Sequence, residues 1–124
     1  MSGSAYVPPG WPEQVRAPGT PDWERTATAY LLDCCPADFR RYPVLRRHPI
    51  VLAQFARHFV AGQAQAAQDG LADARTGLQA QVSPTVVEEA AQAWLEQAAQ
   101  LARTRRAVTL IDDALRGREY VPKL

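Results

Sequence analysis

The residue types able to carry chemistry are few in this chain, and their spacing argues against most of it. Cys34 and Cys35 are adjacent, and His48 and His58 stand ten residues apart; neither spacing is that of a metal-ligand set. Vicinal cysteines rarely bridge each other, because the disulfide strains the peptide between them. Both fall near the C-terminal end of an expected helix, where the dipole raises a thiol pKa and suppresses the reactive thiolate. Cys34 is therefore read as structural. His48 precedes Pro49 as a helix-start residue, and His58, near Phe55 and Phe59, reads as a flank histidine. Asp112 and Asp113 are neighbours on a helix and point apart, which argues against shared-proton chemistry, whereas Asp112 and Arg116 have the i, i+4 spacing of an ion pair. No glycine-rich phosphate loop, nucleophile elbow or paired-carboxylate motif is present. The sequence predicts no catalytic residue, no metal and no cofactor.

Arginine is the one abundant functional side chain; Lys123 is the only lysine. The connector 36–48 sets Arg40, Arg41, Arg46 and Arg47 against a single carboxylate, Asp38, and interleaves them with Phe39, Tyr42, Val44 and Leu45. A planar guanidinium engages carboxylate or phosphate with two parallel hydrogen bonds, and aromatic rings beside it can stack bases. These residues form the candidate site for a partner or an anion: Arg40, Arg41, Arg46, Arg47, Phe39 and Tyr42, with Arg103 and Arg106 brought close by the return of the last helix and Arg105 beside them. The competing reading is an internal cluster in which the arginines pair with Asp22, Glu24, Asp38 and Asp112. The net charge of only +1 favours the internal reading, since nucleic-acid binding rests on a strong basic field.

Three helices must position these groups. Residues 1–21 hold Pro8, Pro9, Gly10, Pro12, Pro18, Gly19 and Pro21, so they run extended with turns. Tyr6, Val7, Trp11 and Val15 would anchor this arm on the helices. Thr20 is read as N-cap and Pro21 as the first residue of a helix over about 21–35, with apolar Trp23, Ala27, Tyr30, Leu31 and Cys34 on one face. A second helix is expected over 49–82, opened by Pro49, and a third over 84–116, capped by Ser83 and closed by Gly117. Residues 118–124 form a loose tail, and 22–117 a single helical domain.

Val87, Trp94, Leu101, Val108 and Leu115 recur every seven residues along the third helix, the repeat of a coiled coil. The tight turn at Val82-Ser83-Pro84 makes the two long helices antiparallel, with facing positions summing to about 165. Trp94 then faces Gly70 and Leu71, and Leu115 faces Ile50. The expected fold is all-α: a long antiparallel helical hairpin, one short N-terminal helix and an extended proline-rich arm. Helices of this length make a rod, and apolar Leu95, Ala102, Val86, Ala90 and Ile111 widen the arc on the third helix beyond what one partner helix covers.

With 124 residues, 22% charged and 47% hydrophobic, the chain has the composition of one globular domain with an adequate core. No apolar run approaches the roughly 18 residues of a membrane span. Val7-Pro-Pro-Gly-Trp-Pro12, Pro21-Asp-Trp-Glu-Arg25, Leu31-Leu-Asp-Cys-Cys-Pro36 and Tyr42-Pro-Val-Leu-Arg-Arg-His-Pro-Ile-Val-Leu-Ala53 resemble a family of small uncharacterised actinobacterial proteins. The resemblance is concentrated in residues 7–53 and implies a cytoplasmic bacterial protein; the family has no assigned activity and supplies no catalytic residue. The expected function is non-catalytic: a helical interaction or scaffold module that associates with itself as a homodimer or docks on another protein. The alternative is a nucleic-acid or anionic-ligand binder acting through the arginines of the connector 40–47.

Overall fold

The structure is a computed structural model, and it describes residues 7–118. It is all-α, with no strand among the described residues: α1 (Trp23–Cys34), a 3-10 turn (Ala37–Arg41), α2 (Pro43–Arg47), α3 (Pro49–Gly77) and α4 (Pro84–Leu115). The two long helices, 29 and 32 residues, extend about 44 and 48 Å and pack against each other as the expected hairpin. The register is the one the seven-residue repeat requires, because the indole of Trp94 lies against the backbone of Gly70. Along the same seam Ala91 and Val108 of α4 and Ala53, Ala56, Val60, Ala67 and Ala74 of α3 are buried. Ile50, expected opposite Leu115, instead stays 43% exposed. The first turn of α3 meets the core through Leu52 and Ala53, both fully buried, and Ile50 lies to the side of them.

Helix ends follow local chemistry, with three departures from expectation. Ser83 caps α4 by accepting a hydrogen bond from the Val86 N–H at 3.3 Å, and Gly117 takes φ 77° just beyond the helix. Thr20, however, is not an N-cap. Its carbonyl accepts from Trp23 N at 3.3 Å and its hydroxyl donates to the Ala17 carbonyl, a turn that delays α1 to Trp23 and leaves Asp22 at φ 67° as the capping position. The second helix ends at Gly77 and not at 82, because the Leu78 carbonyl accepts from Gln81 and Val82 N–H at 3.0 and 3.1 Å and turns the chain toward Ser83. The connector is itself helical. Pro36 and Pro43 each stand at a helix start, where a missing N–H is harmless.

The arm lies on the helices from residue 7 onward; the expectations for residues 1–6 and for the tail 119–124 fall outside the described residues. Val15 is buried in the core with Trp11 packed beside it, and the Trp11 indole N–H donates to the Val15 carbonyl at 2.8 Å. Further back the arm crosses α4, where Arg106 Nε donates to the Pro9 carbonyl at 3.0 Å. Gly10, at φ 97°, passes so close to the Arg106 side chain that a Cβ would collide with it.

The core is unevenly distributed along the rod. Its buried cluster draws on Val15, Leu31, Leu45, Leu52, Val60, Val108 and Ile111, all from the end where the arm, α1 and the connector cover the hairpin. Beyond Val60 and before Ala107 the only fully buried side chains among the described residues are Ala67, Ala74 and Ala91. The molecule is thus a layered head from which a two-helix, alanine-rich hairpin projects.

Candidate functional site

The connector is built around Phe39. The Pro36 break sends the chain back along α3, so that the Phe39 ring meets Phe55 edge-on at 5.7 Å and Phe59 at 6.1 Å, with Tyr42 at 6.4 Å on its other side. Edge-to-face aromatic packing of this kind holds the turn rigid. Tyr42 remains exposed and carries the Arg41 guanidinium over its ring at 5.3 Å. Phe39 and Tyr42 lie side by side, and Phe39, half-buried, is engaged in packing on α3.

The four connector arginines divide into two pairs. Arg40 bonds Asp33 at 2.7 Å and Arg41 approaches Asp38 to 3.7 Å. Both pairs are exposed, where such contacts contribute little. Arg46 and Arg47, in the single last turn of α2, have no carboxylate partner among the described residues. Of the acidic groups proposed as internal partners, Asp38 holds Arg41, Asp22 holds Arg25 at 3.5 Å and Asp112 holds Arg116; Asp33, not anticipated, holds Arg40. Arg103 and Arg106 are not joined to the connector by any hydrogen bond or ion pair among the described residues. Arg106 belongs to the crossing of the arm.

A second polar centre lies within the hairpin seam. Asp112 is completely buried, its Oδ2 accepting from Arg57 Nη1 at 2.7 Å and its Oδ1 from Arg116 Nε at 2.8 Å. The i, i+4 partner Arg116 was evident in the sequence; Arg57, 55 residues away, was not. A signal existed: Asp112 occupies a seam position four residues after Val108, where a carboxylate must find a cation to be buried.

The cysteines face α1's neighbours. Tyr30 donates a hydrogen bond to Cys34, and burial, with the Cys34 thiol second, pushes the Tyr30 pKa up to about 12. Burial also raises Cys34, against a smaller lowering by that hydrogen bond. Cys35 is pushed up to about 11 by burial and by Cys34, with Arg40 opposing. Such thiols are poor nucleophiles. A groove of about 580 Å³ beside them is lined by Gln14, Gln63, Gln97 and Gln100 with Tyr30 and Cys34, and the charged Arg25 and Asp33 reach it as well. Among the described residues no group of three His, Cys, Asp or Glu side chains is placed to hold a metal ion, and no helix is long and apolar enough to cross a membrane.

Large apolar side chains remain exposed on the projecting hairpin: Val82, Val86 at 44% and Leu95 at 39%. No family model matches the sequence, and no characterised protein or solved structure is significantly similar to it.

Proposed function

We propose that this protein is a non-catalytic helical interaction module that associates with itself through the projecting hairpin. The observation that carries the reading is the uneven core. The large buried side chains gather in the head, although Val44, Ile50 and Phe55 stay exposed there, whereas the two-helix hairpin buries only alanines and leaves Val82, Val86 and Leu95 in water. Two amphipathic helices present more apolar arc than they can hide from each other, and a second copy converts the pair into a four-helix arrangement. Light scattering at micromolar concentration tests this directly. The expected mass is twice the 13.7 kDa of the chain, and a monomer at every concentration up to about 100 μM, weaker than the affinity of most specific dimers, overturns it.

A second reading is favoured by Arg46 and Arg47, which are exposed and without a carboxylate partner among the described residues. In this reading the connector binds an anionic partner. Replacing both with alanine leaves melting nearly unchanged, and the reading requires that it also abolish retention on a phosphate-bearing column at low salt.

A further inference from the structure

Helix α4 changes sign along its length. Glu88, Glu89 and Glu96 occupy its first half, and Arg103, Arg105 and Arg106 its second. The whole projecting hairpin shares the first sign: between Gln63 and Gln100 stand Asp69, Asp73, Glu88, Glu89 and Glu96 against Arg75 alone. Among the described residues Glu89, Glu96, Arg103 and Arg105 have no partner of opposite charge. Charges left open in this way in the two halves of one helix complement each other in a second copy laid antiparallel.

One flank of α4, whose Ala102 and Arg106 border a shallow groove shared with Ala64 and Gln68 of α3, has the matching shape. Gln92, Leu95, Ala99, Ala102 and Arg106 are spaced alternately three and four residues apart, the spacing of one helix stripe, and all five are exposed. The seam residues Ala91, Trp94, Ala98, Leu101 and Val108, by contrast, are buried or half-buried. The stripe is symmetric about Ala99 in a specific sense: large Leu95 and small Ala102 lie on opposite sides of it, as do acidic Glu96 and basic Arg103. Its far limit is set by the arm, which crosses α4 at Arg106.

We propose that two copies pair antiparallel through this flank of α4, centred on Ala99. Leu95 of each packs on Ala102 of the other, and Glu96 of each meets Arg103 of the other. This rests on the self-association proposed above and adds its surface and direction. The small side chain at Ala99 lets the two backbones approach at the symmetry axis. An isologous interface repeats every contact twice, so one apolar pair and one ion pair in sequence become four in the dimer. A parallel arrangement is disfavoured because it sets Glu96 against Glu96 and Arg103 against Arg103, and like charges juxtaposed across an interface oppose association.

Charge reversal tests the pairing. In Glu96→Arg every cross-pair becomes arginine on arginine, and in Arg103→Glu it becomes glutamate on glutamate. Each variant alone is expected to raise the dimer dissociation constant about tenfold or more, with unchanged circular dichroism. An equimolar mixture of the two, or the double variant, restores wild-type dimerisation, since both arrangements re-form opposite-charge pairs; misfolded chains would not be rescued by mixing. If both single variants dimerise like wild type, self-association stands and this surface is wrong. If wild type itself is a monomer by light scattering, both proposals fall together.

Discussion

The indole of Trp94 lies flat enough against Gly70 that an added Cβ would overlap its ring atoms. A rigid indole cannot yield as a flexible chain end could. Gly70 therefore sits in the middle of α3 for shape, despite a helix-propensity penalty of about 1 kcal/mol relative to alanine. Gly62, a little over two turns earlier on the same helix, has nothing within 4 Å of a built Cβ. The two positions should respond oppositely. Gly70→Ala is expected to destabilise by about 1–3 kcal/mol through overpacking, and Gly62→Ala to stabilise by up to about 1 kcal/mol, both read by urea denaturation. A stabilised Gly70→Ala would mean the hairpin register is different.

Asp112 is held from both sides by Arg57 and Arg116, whose side chains are themselves partly in water. Removing the carboxylate strands two solvated cations and empties a buried site, at an expected cost of about 3 kcal/mol for Asp112→Ala. Arg57→Ala leaves Arg116 in place and should cost less, about 1–2 kcal/mol. If Arg57→Ala proves the more damaging of the two in chemical denaturation, Arg57 is stabilising the fold through something other than Asp112.

The hairpin could be read in advance because its determinants are local or periodic: the Ser83-Pro84 break, the seven-residue repeat, and a large residue opposite a glycine. Arg57 could not be read in the same way. Its partner lies across the seam, and one helical turn of uncertainty in register spans several candidate partners. The connector was opaque for another reason. Pro36 and Pro43 end one helix and start the next within seven residues, and only the packing of Phe39 on Phe55 and Phe59 decides that the intervening residues coil and do not extend. The failure of Thr20 as a cap has the same origin, since its hydroxyl found the Ala17 carbonyl first.

Alkaline pH should unfold the protein earlier than its composition suggests. Burial moves Cys35 from its ordinary 9.0 to about 11 and Tyr30 from 10.0 to about 12. The fold thus favours the neutral forms. That stability is fully present below the unfolded-state values and is lost as pH rises through the folded ones. Melting temperature should be flat from pH 6 to 8 and fall from about pH 9 toward 12, less steeply in Tyr30→Phe. A Tyr30→Phe variant with an unchanged alkaline slope would remove Tyr30 from this account. Below pH 9 both cysteines should alkylate slowly unless denaturant is added.

The arm is part of the core at Val15. Shortening that side chain to alanine is expected to cost about 2 kcal/mol, as for an interior helix residue and unlike the fraction of a kcal/mol typical of a surface tail. Protease digestion offers a second readout: cleavage within residues 7–21 should be slow in the wild type and fast in Val15→Ala. Rapid cleavage of the wild type would show the arm to be only loosely held.

The bond from Arg106 to the Pro9 carbonyl closes a loop of 97 residues, and it imposes an order in time. The arm leaves the ribosome before α4, and the part of its support that holds Arg106, with core residues Val108 and Ile111, follows about 97 residues later. Trp11 already has Trp23 of α1 to pack on at 6.2 Å, and α3 and the first turns of α4 can pair locally across the turn at 78–83, but the contact to Arg106 must wait for the second half of α4. The projecting hairpin, least buttressed in the finished molecule, is then able to form before the head is complete, because its contacts span short stretches of chain. The head is completed when Val108 and Ile111 of α4 join the cluster that Val15, Leu31, Leu45 and Leu52 have begun.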